Sequence, residues 1–93
     1  MIYITQGKFS QQAIAGFLKK PEDREAAIRT LIEAAGAKML AYYMTFGEYD
    51  FLIVSEGDVG LEDYGSAIVV AAASGSVTDI RTTLAITTAS AKT

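Results

Sequence analysis

The residues of this chain that can do chemistry gather around one interruption. In "YYMTFGEYDFLIVSEG" (residues 42–57), Gly47, Glu48, Tyr49 and Asp50 break two runs that otherwise favour burial. Asp50 has the chemistry of a general base or a ligand anchor, and the hydroxyls of Tyr43 and Tyr49 can line a pocket or steady an enolate-like oxygen. Lys8 and Arg81 can supply positive charge beside them. The same groups also have a plainer use. Asp50 can accept hydrogen bonds from backbone amides where a helix begins, or pair with Lys8 or Arg81, and tyrosines commonly bury the ring with the hydroxyl at a rim.

The chain has no histidine and no cysteine. This removes the commonest general base, the commonest metal ligand, thiolate nucleophiles and any disulfide framework. There is no GxGxxG, no GxxxxGK and no metal-ligand spacing, so no cofactor and no metal is expected. Eleven acidic against eight basic residues give a net charge of −3, and no segment gathers more than two adjacent cations. Attraction to nucleic acid or to an anionic membrane is therefore not expected. The longest apolar run, "AIVVAAA" (67–73), is too short to span a bilayer, and "MIYITQGKF" lacks the pattern of a secretory signal. The expectation is a soluble cytoplasmic protein. With 93 residues, of which 51% are hydrophobic, it should form a single domain (1–93) with more apolar surface than a small monomer buries. That surplus points to a homo-oligomer.

The elements that must position these groups follow from periodicity. "MIYITQG" reads as a strand. "SQQAIAGFL" (10–18) reads as a helical segment capped by Ser10. In "KKPEDREAAIRTLIEAAG", Pro21 opens a helix, Glu22 and Asp23 suit its first turn, Ala27, Ile28, Leu31, Ile32 and Ala35 form its apolar stripe, and Gly36 ends it. Lys19, Lys20 and Arg24 belong to this charged helical entry rather than to a binding patch. "AKMLAYYMTF" and "YDFLIVSE" read as strands joined by a two-residue type II′ turn at Gly47-Glu48. Asp58 offers an N-cap to a second helix carrying Leu61, Tyr64, Ile68, Ala71 and Ala72 and ending at "SGS". "VTDIRTTLAITT" closes as a fourth strand, and "ASAKT" is expected to fray.

The order β-α-β-β-α-β predicts an α+β fold: a ferredoxin-like plait whose four-stranded antiparallel sheet has the order 4-1-3-2 and carries both helices on one face. A two-residue turn would place Leu40, Tyr42, Met44, Phe46, Tyr49, Phe51 and Ile53 on one face of the central hairpin, and Met39, Ala41, Tyr43, Thr45, Asp50, Leu52 and Val54 on the other. Both sets are largely apolar. The helices cover only one face, so the other should meet a second subunit, as in a dimeric α/β barrel. The topology also brings Lys8, Tyr43, Tyr49, Asp50 and Arg81 to one end of the sheet.

At "GEYDF" the chain resembles the GYD domain family of small bacterial and archaeal proteins, and "GKFSQQAIAG", "PEDREAAIRTLIEAAGAKM", "YYMTFGEYDFLIVSE" and "IRTTLAI" resemble it in the same order. The resemblance implies a ferredoxin-like fold of the dimeric α/β-barrel kind and brings no particular activity with it. Gly47, Tyr49 and Asp50 match the signature, and Lys8 and Arg81 stand where similar basic positions fall. One departure is the second helix, whose "AIVVAAASG" is short of charge.

Two functions follow as expectations. One is a small oligomeric module that binds a small molecule or serves as an assembly or regulatory subunit. The alternative is a cofactor-free enzyme, of oxygenase or isomerase type, using Asp50 as general base with Tyr43, Tyr49 or Arg81 stabilising an oxyanion.

Overall fold

The computed structural model describes residues 1–19 and 24–92. Its elements are β1 (Ile2–Phe9), α1 (Gln11–Lys19), α2 (Arg24–Ala34), β2 (Lys38–Met44), β3 (Phe51–Glu56), α3 (Leu61–Ala73), β4 (Val77–Ala85) and α4 (Thr88–Ala91). The strands form one antiparallel sheet ordered β2-β3-β1-β4, which reads 4-1-3-2 from the opposite edge. The fold is α+β.

Local chemistry sets the element ends. The Ser10 hydroxyl accepts from Ala13 N at 3.1 Å and caps α1. Gly36 adopts φ 91°, the left-handed turn that ends α2 and that a side chain would disfavour. The expected start of this helix at Pro21, Glu22 and Asp23, together with Lys20, lies outside the described residues.

The core lies between the helices and one face of the sheet. Tyr3, Met39, Phe51, Ile53 and Val77 from the strands meet Ile32 of α2 and Tyr64 of α3. Tyr3 and Tyr64 stack at 4.2 Å with an 11° interplanar angle. The Tyr64 hydroxyl lies 3.0 Å from Thr5 Oγ1 and 2.9 Å from Ser55 Oγ, and Thr5 Oγ1 lies 3.1 Å from Thr82 Oγ1. Tyr3 donates to Val59 O at 2.6 Å. Each hydroxyl of this buried group is thus satisfied internally, so the polar atoms can be buried without a large penalty.

Several expectations need correction. No two-residue turn joins β2 to β3. Residues 45–50 form a longer loop, closed by Thr45 N donating to Asp50 O at 2.9 Å and Thr45 Oγ1 donating to Tyr49 O at 2.7 Å. The threonine side chain supplies a closure that a glycine-based turn pattern does not register, so Phe46 and Tyr49 do not flank a tight turn.

The predicted faces are also rearranged. A register shift between Met39 and Ala41 leaves Met39 opposite Ser55 and Ala41 opposite Val54. Met39 thereby joins Tyr42, Phe51 and Ile53 beneath the helices, with Leu40 as the extra residue. Phe51, 3% exposed, is core.

Two cap expectations change as well. Asp58 does not cap α3; Gly60 occupies that position without a side-chain bond, and Asp58 lies 3.9 Å from the N-terminal ammonium instead. Of the residues expected to fray, Ala89, Ser90 and Ala91 lie in the short helix α4, whose N-cap Thr87 Oγ1 accepts from Ser90 N at 3.1 Å, and Thr93 lies outside the described residues.

Candidate functional site

The face of the sheet turned away from the helices carries the chemistry. Register places Tyr43, Leu52, Gln6 and Arg81 in one row across the strands, Ala41, Val54, Ile4 and Thr83 in the next, and Lys38, Glu56, Ile2 and Ala85 in a third. Lys8 lies beyond Gln6 on the same side, opposite Thr78. The middle row is thus almost wholly apolar. One end of the face gathers a phenol, a carboxamide, a guanidinium and an ammonium group, all capable of donating hydrogen bonds. Side chains directly opposite across a strand pair stand about 5 Å apart at Cβ, so Gln6 and Arg81 adjoin with Lys8 next along, whereas Tyr43 stands on the opposite edge strand with Leu52 and Gln6 between it and Arg81.

Of the residues predicted to form a site, Lys8 and Arg81 lie in neighbouring positions on this face, and Tyr43 lies in the row of Arg81 but on the opposite edge strand. Among the described residues, neither Lys8 nor Arg81 forms an ion pair. Tyr43 is 58% exposed on the edge strand β2.

Asp50 stands at the rim in a different role. Its Oδ2 accepts from Phe9 N at 2.9 Å, its N donates to Gly7 O at 2.8 Å and its carbonyl accepts from Thr45 N at 2.9 Å. The residue therefore joins the end of β1, the loop and the start of β3. Its Oδ1 makes no hydrogen bond among the described residues. Tyr49 shares the loop through its carbonyl, the acceptor for Thr45.

Gly7 supports this corner. A Cβ there would lie 2.7 Å from Phe51 Cζ and 3.3 Å from Thr78 O, so glycine allows the Phe51 ring to press against β1. The ring also meets Phe9 at 5.1 Å and Tyr42 at 6.2 Å.

Sequence reasoning missed Gln6, although the alternation Ile2, Ile4, Gln6, Lys8 already placed it on this face. It also missed the Thr5, Ser55 and Tyr64 hydroxyl group, whose only signal was polar residues at inward positions of apolar strands.

The space between the helices and the sheet does not compete as a site. The void there is about 30 Å³ and is lined by residues such as Ile28, Ile53, Ala67 and Ile80, room for little more than one water molecule. A groove of about 490 Å³ between α2 and α3 is open to solvent and is lined by Leu31, Ala35, Asp63, Ser66 and Val70, with no cation among the described residues that line it. Among the described residues, no cluster of carboxylates is arranged to hold a metal ion, and no helix is long and apolar enough to cross a membrane.

The model of the GYD domain family matches residues 3–93, nearly the whole length. The chain belongs to the GYD domain family. The signature Gly47, Tyr49 and Asp50 of this GYD chain thus sits in the loop that the aspartate ties to β1. None of the curated proteins matches the sequence. Among solved structures, the chain is similar to one described as "crystal structure of FFRP-DM1", with a TM-score of 0.53 and 18% identity, covering 91% of this chain and 97% of the other. At that identity the likeness is one of fold.

Proposed function

We propose that this GYD domain is a homo-oligomeric module of the ferredoxin-like, dimeric α/β-barrel type, which binds a small molecule at its uncovered sheet face and serves as a regulatory or assembly subunit. The observation that carries this reading is the uncovered face itself. Ile2, Ile4, Leu52 and Val54 stand there only half-buried, beside the exposed Leu40 and Tyr43. Full burial of such a side chain contributes roughly 1.5–3 kcal/mol, so a covering subunit gains several kcal/mol from this face. A second copy of the chain is self-complementary by symmetry and would enclose the polar end as an inter-sheet cavity. The fold likeness to a solved structure over nearly its full length supports the plait assignment.

Native mass spectrometry of protein taken from its source tests the reading, because subunit number and a retained small molecule are read together. The expected result is a mass of two or more chains. A single-chain mass at all concentrations contradicts it.

A second reading has one observation in its favour: Asp50 Oδ1 carries no hydrogen bond, leaving one carboxylate oxygen for a substrate proton. On that reading the protein is a cofactor-free enzyme of oxygenase or isomerase type with Asp50 as its base. The commitment of Oδ2 to Phe9 N favours the binding module, since it explains the carboxylate as part of the fold.

A further inference from the structure

We propose that the polar end of the uncovered face recognises a small organic anion, whose carboxylate engages Arg81 and Lys8 and whose apolar body lies over Leu52, Ile4 and Val54. The proposal rests on the reading above that a second copy covers this face. Its starting point is a charge imbalance. The chain as a whole is acidic, with eleven carboxylate residues against eight cations, yet Lys8 and Arg81 share one face at neighbouring positions and neither has an ion-pair partner among the described residues.

The nearby carboxylates form an ion pair with neither cation among the described residues, and each is held through Oδ2 by a neutral donor. Asp50 Oδ2 holds Phe9 N at 2.9 Å, and Asp79 Oδ2 accepts from Thr78 Oγ1 at 3.4 Å. Glu56 lies at the opposite end of the face, in the row with Lys38.

Covering the face turns this imbalance into a requirement. A guanidinium and an ammonium moved out of water without counter-charge are strongly destabilising, so an enclosed Arg81 and Lys8 call for an anion. The neighbouring donors select its type. Arg81 offers a planar fork matched to a carboxylate, and Gln6 beside it adds a donor. The adjoining Leu52, Ile4 and Val54 offer no polar partner, so an inorganic anion would leave half the surface unused. A carboxylate on a compact hydrocarbon body fits both halves.

The test uses the full chain, with calorimetric titration and light scattering on the same samples. The probes are benzoate and 4-methylpentanoate, with benzamide as an uncharged control and inorganic phosphate as an anion without an apolar body. The expected result is saturable binding of at least one carboxylate to an oligomer, with benzamide and phosphate weaker by roughly tenfold or more, as loss of a charge-assisted hydrogen bond implies. Arg81→Gln and Lys8→Gln each weaken the carboxylate by a similar factor while the mass stays unchanged. Arg81→Lys, which keeps the charge and loses the fork, recovers part of the affinity.

An oligomer that binds neither carboxylate overturns this proposal and leaves the oligomeric reading standing. Dissociation by both Glu56→Gln and Arg81→Gln, with no carboxylate binding, assigns the counter-charge to the partner's own glutamate and also overturns it. Phosphate binding as tight as benzoate removes the apolar half. A monomeric wild-type protein sinks both readings together.

Discussion

Asp50 Oδ2 accepts a hydrogen bond from Phe9 N at 2.9 Å, so the aspartate of the family signature fixes the point where β1 gives way to α1. Removing that acceptor takes a charged partner away from a partly buried amide. Asp50→Ala should cost about 1–3 kcal/mol, and Asp50→Asn, which retains an oxygen acceptor, about 1 kcal/mol or less. Urea unfolding measures both. If Asp50→Ala is neutral, the corner does not depend on this bond; if Asp50→Asn abolishes a turnover without lowering stability, the enzyme reading gains.

Tyr64 holds two buried hydroxyls at once. Tyr64→Phe strands Ser55, fully buried, and removes one of the two side-chain partners of Thr5. The expected loss is about 1–3 kcal/mol. Adding Ser55→Ala should cost less in the Tyr64→Phe background than in the wild type, because the stranded hydroxyl is gone. Equal costs in the two backgrounds would contradict a coupled network.

Gly7→Ala places a Cβ 2.7 Å from Phe51 Cζ, at a ring only 3% exposed. The predicted destabilisation is about 1–3 kcal/mol, as for other overpacked cores. In a domain of this size each kcal/mol lowers the melting temperature by about 4–8 °C. Phe51→Leu in the same chain should make the added methyl less costly than it is beside phenylalanine, and equal costs in both backgrounds would exclude this contact as the cause.

Much of the fold was legible in the sequence. The strand and helix order followed from alternation in "IYITQGK", the helical stripe around Ile28, Leu31 and Ile32, and the stop at Gly36. The register of the central hairpin was not. A single extra residue at Leu40 exchanges which side chains of β2 face the helices, and nothing in "KMLAYYM" marks where a strand bulges. The loop is not legible in the same way, because the Thr45 closure depends on a side chain meeting a carbonyl four residues on. At the candidate site, topology alone places Lys8, Tyr43 and Arg81 toward one end of the sheet, and the register then sets Tyr43 on the edge strand opposite Arg81. The engagement of Asp50 by a backbone amide far away in sequence required the folded chain.

These corrections change which substitutions probe the uncovered face. Met44 belongs to the side shared by Phe51, and a lysine at Phe51 would disrupt the core rather than an interface. Phe46, 99% exposed, projects from the loop. Phe46→Ser should leave the unfolding free energy of the separate chain within about 0.5 kcal/mol of wild type, as for other surface changes. A larger loss in denaturant unfolding of a dissociated variant would mean that the ring packs within its own chain.

The most direct measurement is the solution mass of Val54→Lys beside wild type and Met44→Lys, by light scattering across a concentration series. Val54 lies in the apolar middle row of the uncovered face, whereas Met44 lies on the other side of the same strand pair. The expected masses are two or more chains for wild type and Met44→Lys, and a folded single chain for Val54→Lys. A wild-type protein that stays a single chain throughout the series, or a Val54→Lys protein with the wild-type mass, would contradict a second copy on this face.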